Sequence, residues 1–241
     1  KAITLLLMQR TAADSAESSQ LRFDATVLDG PVEGGHGSVL RALNGQNYEI
    51  LAAGAPRTEG FVGVSLEADA LNAVGAARME IGAKLTSTYI NRQTGSLQGA
   101  NVISVGATAT NTIVLGEGAT LRGTDVFLMS NSPSGSITLE QGAAINTLGQ
   151  GASTYGSNLG YVYQPGSNSM LALSNARLDV LAPLPVDMNG RGAGAIQIGV
   201  CAAGATCSGD TLLYSEGTIA TATDNRFVLG DAVRYGTRNL S

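Results

Sequence analysis

Apolar residues recur along this chain in short bursts of period two, separated by glycine. The clearest are IVLGEGATL, residues 113–121, and ITLEQGAAI, residues 137–145. Both read I-x-L-x-x-G-A-x-(L/I), and the second follows the first by 24 residues. Alternate side chains of a strand point to opposite faces, so Ile113 and Leu115 share a face. Gly118 then makes a turn, and Leu121 returns an apolar side chain to the same interior. Ile137, Leu139, Gly142 and Ile145 repeat the arrangement. Looser copies are MEIGAKL at 79–85, ISVGA at 103–107, LALSNARL at 171–178, IQIG at 196–199, LLYSEGTI at 212–219 and FVLGDAV at 227–233.

A short strand, a glycine bend and a second short strand cannot bury their own apolar face. Stacking successive copies buries it, with like residues above like. The expected fold is therefore all-β, a right-handed parallel β-helix with loops that leave the coil. Ile113 should lie beside Ile137, and Leu115 beside Leu139, in parallel strands. Other repeats fit less well. The asparagine ladder of leucine-rich repeats, the GGxGxD of calcium-binding nonapeptides and the strict hexapeptide of left-handed β-helices do not occur. The Trp-Asp signature of propellers is also missing. A β-sandwich of alternating strands remains the competing architecture.

Three segments interrupt the pattern. Residues 147–169, TLGQGASTYGSNLGYVYQPGSNS, and residues 183–195, with Pro183 and Pro185, read as loops leaving the coil. Residues 29–38, DGPVEGGHGS, form a third. SLEADALNAVG, residues 65–75, suggests one short helix with Ser65 as N-cap and Gly75 as C-cap. The whole of 1–241 then reads as a single β-helical segment, less regular over 1–58 and stacked over 59–241.

Composition sharpens this picture. Hydrophobic residues make up 44%, enough for a continuous core, while charged residues are only 14% and glycines number 32. Disorder requires the opposite balance. The net charge is −5 and the basic residues are scattered. A clustered cationic face for nucleic acid or an anionic membrane surface is missing. No apolar run reaches the 18 residues of a membrane-spanning helix. The opening KAITLLLMQR is too short in its apolar part for a signal peptide. That fits a piece excised from a longer protein. Cys201 and Cys207, in GVCAAGATCSGD, lack the ligand number of a metal site and the spacing of a redox pair. A local disulfide formed in an oxidising compartment is the expectation.

These coils, the segment EGFVGVSLEADALNAVGAARMEIG at 59–82 and the final GDAVRYGTRNLS together resemble the filamentous-haemagglutinin-like two-partner-secretion exoproteins, large adhesins of Gram-negative bacteria. The resemblance covers most of the chain, least over 1–58. It implies a right-handed β-helical shaft, exported through an outer-membrane partner and displayed on the cell surface. It implies service in adhesion, biofilm formation or delivery of a distal toxin, and it supplies no catalytic residues or cofactor.

Right-handed β-helices also include polysaccharide lyases and hydrolases, which use paired carboxylates or aspartate clusters that hold calcium. Here the acids are dispersed. Glu117 and Glu140 fall at equivalent corners and are the one pair placed to approach. Asp125, Asp179 and Asp187 have no paired spacing, and His36 has only Glu33 nearby. The expectation is no catalysis, no metal and no cofactor. The best binding candidates are Tyr155, Tyr161 and Tyr163, which lie among Ser, Gly and Asn, the composition of adaptable binding loops. The expected partner is a surface glycan or receptor. A carbohydrate-active enzyme or a glycan-binding module is the alternative.

Overall fold

The computed structural model describes residues 2–6, 20–21, 37–43, 47–90, 100–105, 112–130, 132, 134–155, 160–163, 168–181, 194–201 and 205–237. In chain order its first strands are β1 (Ala2–Leu6), β2 (Gln20–Leu21), β3 (Val39–Leu43), β4 (Tyr48–Leu51) and β5 (Val64–Glu67). Helix α1 (Ala68–Ala73) follows, then β6 (Arg78–Ile81), β7 (Leu85–Ile90) and β8 (Ala100–Val105). The central strands are β9 (Thr112–Leu115), β10 (Thr120–Arg122), β11 (Asp125–Ser130), β12 (Ser136–Glu140) and β13 (Ala144–Asn146). Next come β14 (Gly160–Tyr163), β15 (Ser169–Ser174), β16 (Leu178–Val180) and β17 (Ala195–Val200). The last are β18 (Thr211–Ser215), β19 (Thr218–Ala222), β20 (Phe227–Leu229) and β21 (Val233–Thr237).

Among the described residues the fold is all-β apart from α1, and its strands pair mainly in parallel. A seven-stranded sheet runs β2-β5-β4-β9-β12-β17-β20, and a six-stranded sheet runs β1-β3-β6-β11-β15-β19. One four-stranded sheet is β10-β13-β18-β21, and the other is β16-β14-β8-β7. From β9 onward the chain visits the seven-stranded sheet, the sheet of β10 and the six-stranded sheet in that order. It then repeats the circuit.

The inward rows are in register. Ile113 lies opposite Ile137 and Leu115 opposite Leu139, in a parallel pair, as the 24-residue offset predicts. An antiparallel sandwich would not produce this. The rows extend on both sides, as Tyr48–Ile113–Ile137–Ile196–Phe227 and Ile50–Leu115–Leu139–Ile198–Leu229. In the sheet of β10 the row is Leu121–Ile145–Leu213–Tyr235. Most of these side chains are buried in one core cluster. Gly118 and Gly142 turn the chain at the predicted corners with φ of 72° and 86°, a region that costs side chains with a Cβ. At Gly142 a Cβ would also meet Ser208 O at 2.7 Å.

The remaining sheet is a second layer. The inner face of the six-stranded sheet, including Met79, Ile81, Val126, Leu128, Leu171 and Leu173, joins the main core. Its outer face carries Phe127, Met129, Met170 and Ala172. These pack against Leu85, Ile103, Val105 and Leu178 of the sheet β16-β14-β8-β7. Strands β11 and β15 are therefore buried along their whole length. ISVGA, expected as one more stacked copy, belongs to this covering layer. Its residues Ile103–Val105 end β8, which pairs antiparallel with β7 and parallel with β14, while Gly106 and Ala107 lie outside the described residues. Strand β15 also departs from the parallel expectation, since it runs antiparallel to both β11 and β19.

Two further expectations need correction. Residues 147–169 are not simply a loop, because β14 lies within them and pairs with β8 and β16. Ser65 is not a helix N-cap. The alternation V-S-L-E completes strand β5 beside β4, so α1 starts later, with Glu67 as N-cap and no side-chain cap. Nor is Gly75 the C-cap: the helix ends at Ala73 with Val74 as C-cap, and Gly75 follows with φ of 66°, its N–H donating to Asn72 O at 2.9 Å. Of the predicted loop 183–195, residues 183–193 lie outside the described residues, and Ala195 begins β17.

Helix α1 stands between β5 and β6, where later circuits place a strand of the sheet of β10. Asn72 serves the edge of that sheet. Its Nδ2 donates to Thr120 O at 2.8 Å, and its Oδ1 accepts from Arg122 N at 2.9 Å. One side-chain amide thus satisfies the backbone groups that a neighbouring strand would have taken.

The main core holds one unexpected polar atom. Tyr48 is fully buried, and its hydroxyl has no hydrogen-bond partner among the described residues. An unpaired buried hydroxyl costs about 1–3 kcal/mol. Tyr48→Phe is therefore expected to leave stability unchanged or raise it by up to about 2 kcal/mol, read from urea midpoints. A clear loss of stability would mean that the hydroxyl has a partner. Burial also pushes the Tyr48 phenol far above its ordinary value. Its contribution to stability is full below the free phenol's value of about 10 and declines as the pH rises above it. The Phe variant should therefore lose less stability than the parent between neutral pH and strong alkali.

Candidate functional site

The densest polar constellation lies on the outer face of the six-stranded sheet, where strand register sets charges side by side. Arg41 of β3 is opposite Glu80 of β6, and Arg78 of β6 is opposite Asp125 of β11. Arg41 Nε donates to Glu80 Oε2 at 2.7 Å. Arg78 Nε lies 2.9 Å from Glu80 Oε1, off the line of a hydrogen bond. Leu85 N donates to Glu80 Oε2 at 3.0 Å. Glu80 is completely buried, and the two guanidiniums compensate its charge.

Asp125 is equally buried and accepts five hydrogen bonds. Ser153 Oγ donates to Oδ1 at 2.6 Å and Ser174 Oγ at 2.5 Å. Thr154 N and Oγ1 donate to Oδ2, each at 2.9 Å, and Thr124 Oγ1 donates at 3.0 Å. Three of these donors belong to the segment after β13. The same segment is fixed farther back by Asn175, whose Nδ2 donates to Thr147 O and Gly151 O at 2.9 and 2.7 Å. Residues 147–155 thus form a strap across the outer face.

Tyr155 closes the strap. Its ring meets Phe127 edge-on with centroids 6.1 Å apart, and Arg78 Cζ lies 4.6 Å from the ring centre. Burial pushes its phenol upward, and the neighbouring Arg78 opposes this. Tyr155 is therefore engaged with the covering layer as a packing residue. Of the other two tyrosines only the backbone is described: Tyr161 is opposite Asp179 and Val102 within β14, and Tyr163 is opposite Ser104. The three tyrosines do not share one loop, since β14 carries two of them.

The corner acids Glu117 and Glu140 are both engaged in hydrogen bonds between turns. Glu140 Oε2 accepts from Glu117 N at 3.0 Å, while Glu117 Oε1 accepts from Ser208 N and Oγ, both at 3.0 Å. Glu140 thus reaches back to the preceding turn, and Glu117 reaches the N–H and hydroxyl of Ser208, two circuits on. Gln141 adds a link from Nε2 to Gly209 O at 3.0 Å. Beside this ladder Cys201 and Cys207 form a disulfide with Cα atoms 5.7 Å apart, as their spacing predicts. Replacing both with serine should cost about 2 kcal/mol, because the closed loop is short. Strand content should not change. A loss above about 4 kcal/mol would show that the bridge supports more than its own turn.

A third cluster surrounds Glu49, buried on the outer face of β4. It accepts from Ser65 Oγ and, at 3.3 Å, from Thr58 N, and Arg57 Nε lies 3.6 Å away. This fastens residues 52–63 over the seven-stranded sheet. Sequence reasoning missed Glu80, Asp125 as a structural centre, and Glu49, because isolated acids carry no spacing signal. His36, Glu33 and Asp187 lie outside the described residues, and Asp179 is exposed. Among the described residues no three His, Cys, Asp or Glu side chains are grouped to hold a metal ion. No helix among them is long and apolar enough to cross a membrane. No known protein family, curated protein or solved structure matches this chain.

Proposed function

We propose that the chain is a right-handed parallel β-helical segment of a secreted bacterial surface adhesin, a structural shaft without catalytic activity. The observation that carries this reading is the in-register row Ile113–Ile137–Ile196, repeated by Leu115–Leu139–Ile198. Rows of that kind arise when successive circuits wind about one axis and bury like residues above like. The covering layer thickens one side of the shaft, and recognition falls to what projects outward. The Cys201–Cys207 bridge supports export to an oxidising compartment. An outer-membrane secretion partner and a host or surface glycan are the partners this reading requires.

The three acid clusters support the non-catalytic part. Glu49, Glu80 and Asp125 are buried and engaged by protein donors or guanidiniums, and Glu117 and Glu140 tie separate turns together. The purified chain should adhere to epithelial or abiotic surfaces, or bind on a glycan array, without degrading any polysaccharide. Release of oligosaccharides would overturn the non-enzymatic reading. Failure to bind any glycan, cell layer or solid surface would overturn the adhesive one. A crystal structure with left-handed winding, or with β9, β12 and β17 on different axes, would sink the shaft.

A further inference from the structure

The three stacked sheets present different outer faces. That of the six-stranded sheet lies under the covering layer. That of the seven-stranded sheet carries Val114, Thr138 and Gln197 in one outward row, with neither ring nor charge among them. The sheet of β10 differs. Leu121, Ile145 and Leu213 face the core, so alternation turns Arg122, Asn146 and Tyr214 outward, one on each of three neighbouring strands. They stand in one in-register row, with strands about 4.8 Å apart. Tyr214 is half-buried, and the next position of its row is Gly236. A Cβ at Gly236 would lie 3.6 Å from Tyr214 Cδ1 and Cε1, so the ring rests over a position without a side chain. Asn146 Oδ1 accepts from Leu148 N at 2.9 Å, which leaves its Nδ2 to donate outward. Arg122 is exposed, and among the described residues nothing pairs with its guanidinium. Beside this row Ala144 and Leu212 form an apolar strip that ends in Arg234, itself paired with Asp210 at 3.2 Å. The outward positions of these four strands thus hold two arginines and no acid, in a chain of net charge −5.

We infer that this face binds a carboxylate-bearing polysaccharide, a chain of uronic acids laid along the row Arg122–Asn146–Tyr214. The Tyr214 ring offers a flat, rigid apolar surface with a polar tip, on which the C–H face of a pyranose stacks. Asn146 Nδ2 donates to a sugar hydroxyl. The Arg122 guanidinium presents paired N–H donors that match a carboxylate. Because the three groups sit on successive strands, an extended chain of sugars meets them in order. A neutral glycan would leave the Arg122 charge unanswered. A protein partner fits less well. One ring buries about 150–250 Å², against about 800 Å² per partner in a stable protein interface. An acidic peptide is held by a cluster of arginines, and here only one is unpaired. A strand added beyond β21 would pair edge to edge and leave this face open. The inference rests on the adhesive reading, to which it adds the site and the class of sugar.

Isothermal titration of the intact chain with oligogalacturonate and oligomannuronate tests this, beside methyl-esterified oligogalacturonate and poly-glutamate. At least one of the two uronate oligomers should bind. The methyl ester of a bound oligomer keeps the sugar rings but removes the charge, and it should bind at least about tenfold more weakly. Tyr214→Ala should weaken binding at least about tenfold, while Tyr214→Phe keeps the ring and most of the affinity. Arg122→Gln should weaken it about fivefold or more. Position 122 is exposed, so the circular dichroism and melting curve of that variant should match the parent. Binding of neither oligomer overturns the inference. So does equal binding of the methyl ester or of poly-glutamate, or binding indifferent to Tyr214→Ala and Arg122→Gln. A chain that attaches to cells, other glycans or solid surfaces yet binds neither oligomer refutes this site alone. One that attaches to nothing refutes the adhesive reading with it.

Discussion

Replacing Asp125 with alanine is expected to cost about 3–5 kcal/mol, among the largest losses available to a single substitution in this chain. The side chain is fully buried and its two oxygens gather five donors from Thr124, Ser153, Thr154 and Ser174. Alanine leaves those donors facing a void, and each unsatisfied buried group costs about 1–3 kcal/mol. The loss should also be visible locally. With its anchor gone, the strap of residues 147–155 should lift, so amide exchange at Thr154 and Tyr155 should quicken well before the rows of β9, β12 and β17 open. Asp125→Asn keeps the shape and one acceptor oxygen and should cost distinctly less. Urea melts together with amide exchange decide the matter. A cost under about 1 kcal/mol for the alanine variant would show that the network is incidental. The same logic forbids removing residues 147–169 as if they were a free loop. That deletion would take β14 from the covering layer and expose Phe127.

Leu139→Ala is expected to cost about 2–5 kcal/mol, with no local remedy. Leu139 is fully buried at the middle of a row, between Leu115 and Ile198. Parallel neighbours on both sides are held by their ladders, so the row cannot close over the missing carbons. Ala in place of the partly exposed Val114 should cost under about 1 kcal/mol. The double variant Leu115→Ala, Leu139→Ala should depart from additivity by at least about 0.5 kcal/mol, since the two side chains are direct neighbours. Strict additivity would contradict the row contact.

Several features were legible in the residues alone. The repeat I-x-L-x-x-G-A-x-(L/I) identified which side chains face inward, because strand periodicity and the glycine corner are local properties. It placed Ile113 beside Ile137 in a parallel pair, and the short spacing of Cys201 and Cys207 marked the disulfide. The covering layer left a weaker signal that was available. DVFLMS and SMLALS are nearly continuous apolar runs, the mark of strands buried on both faces. Read that way, β11 and β15 call for a second layer that must come from the segments outside the repeat.

Other features had no local cause. A period of two looks the same in either direction, so Leu171 and Leu173 would face the core whether β15 ran parallel or antiparallel to β11. ISVGA has the alternation of a stacked copy, yet its Ile103–Val105 belong to a strand that pairs with β7 and β14, partners that alternation alone does not specify. Tyr155 has the composition of a binding loop around it, but Phe127 and Arg78 arrive from strands β11 and β6 and engage its ring. Glu80 and Asp125 are unremarkable acids in sequence. Only the register of β3, β6 and β11 sets Arg41 and Arg78 beside them, far from water. The sequence by itself determined the inward rows, the glycine corners and the disulfide, because each follows from alternation and short-range geometry. The tertiary structure alone decided strand direction, the covering layer and the fate of the charges, because these depend on contacts between residues far apart in the chain.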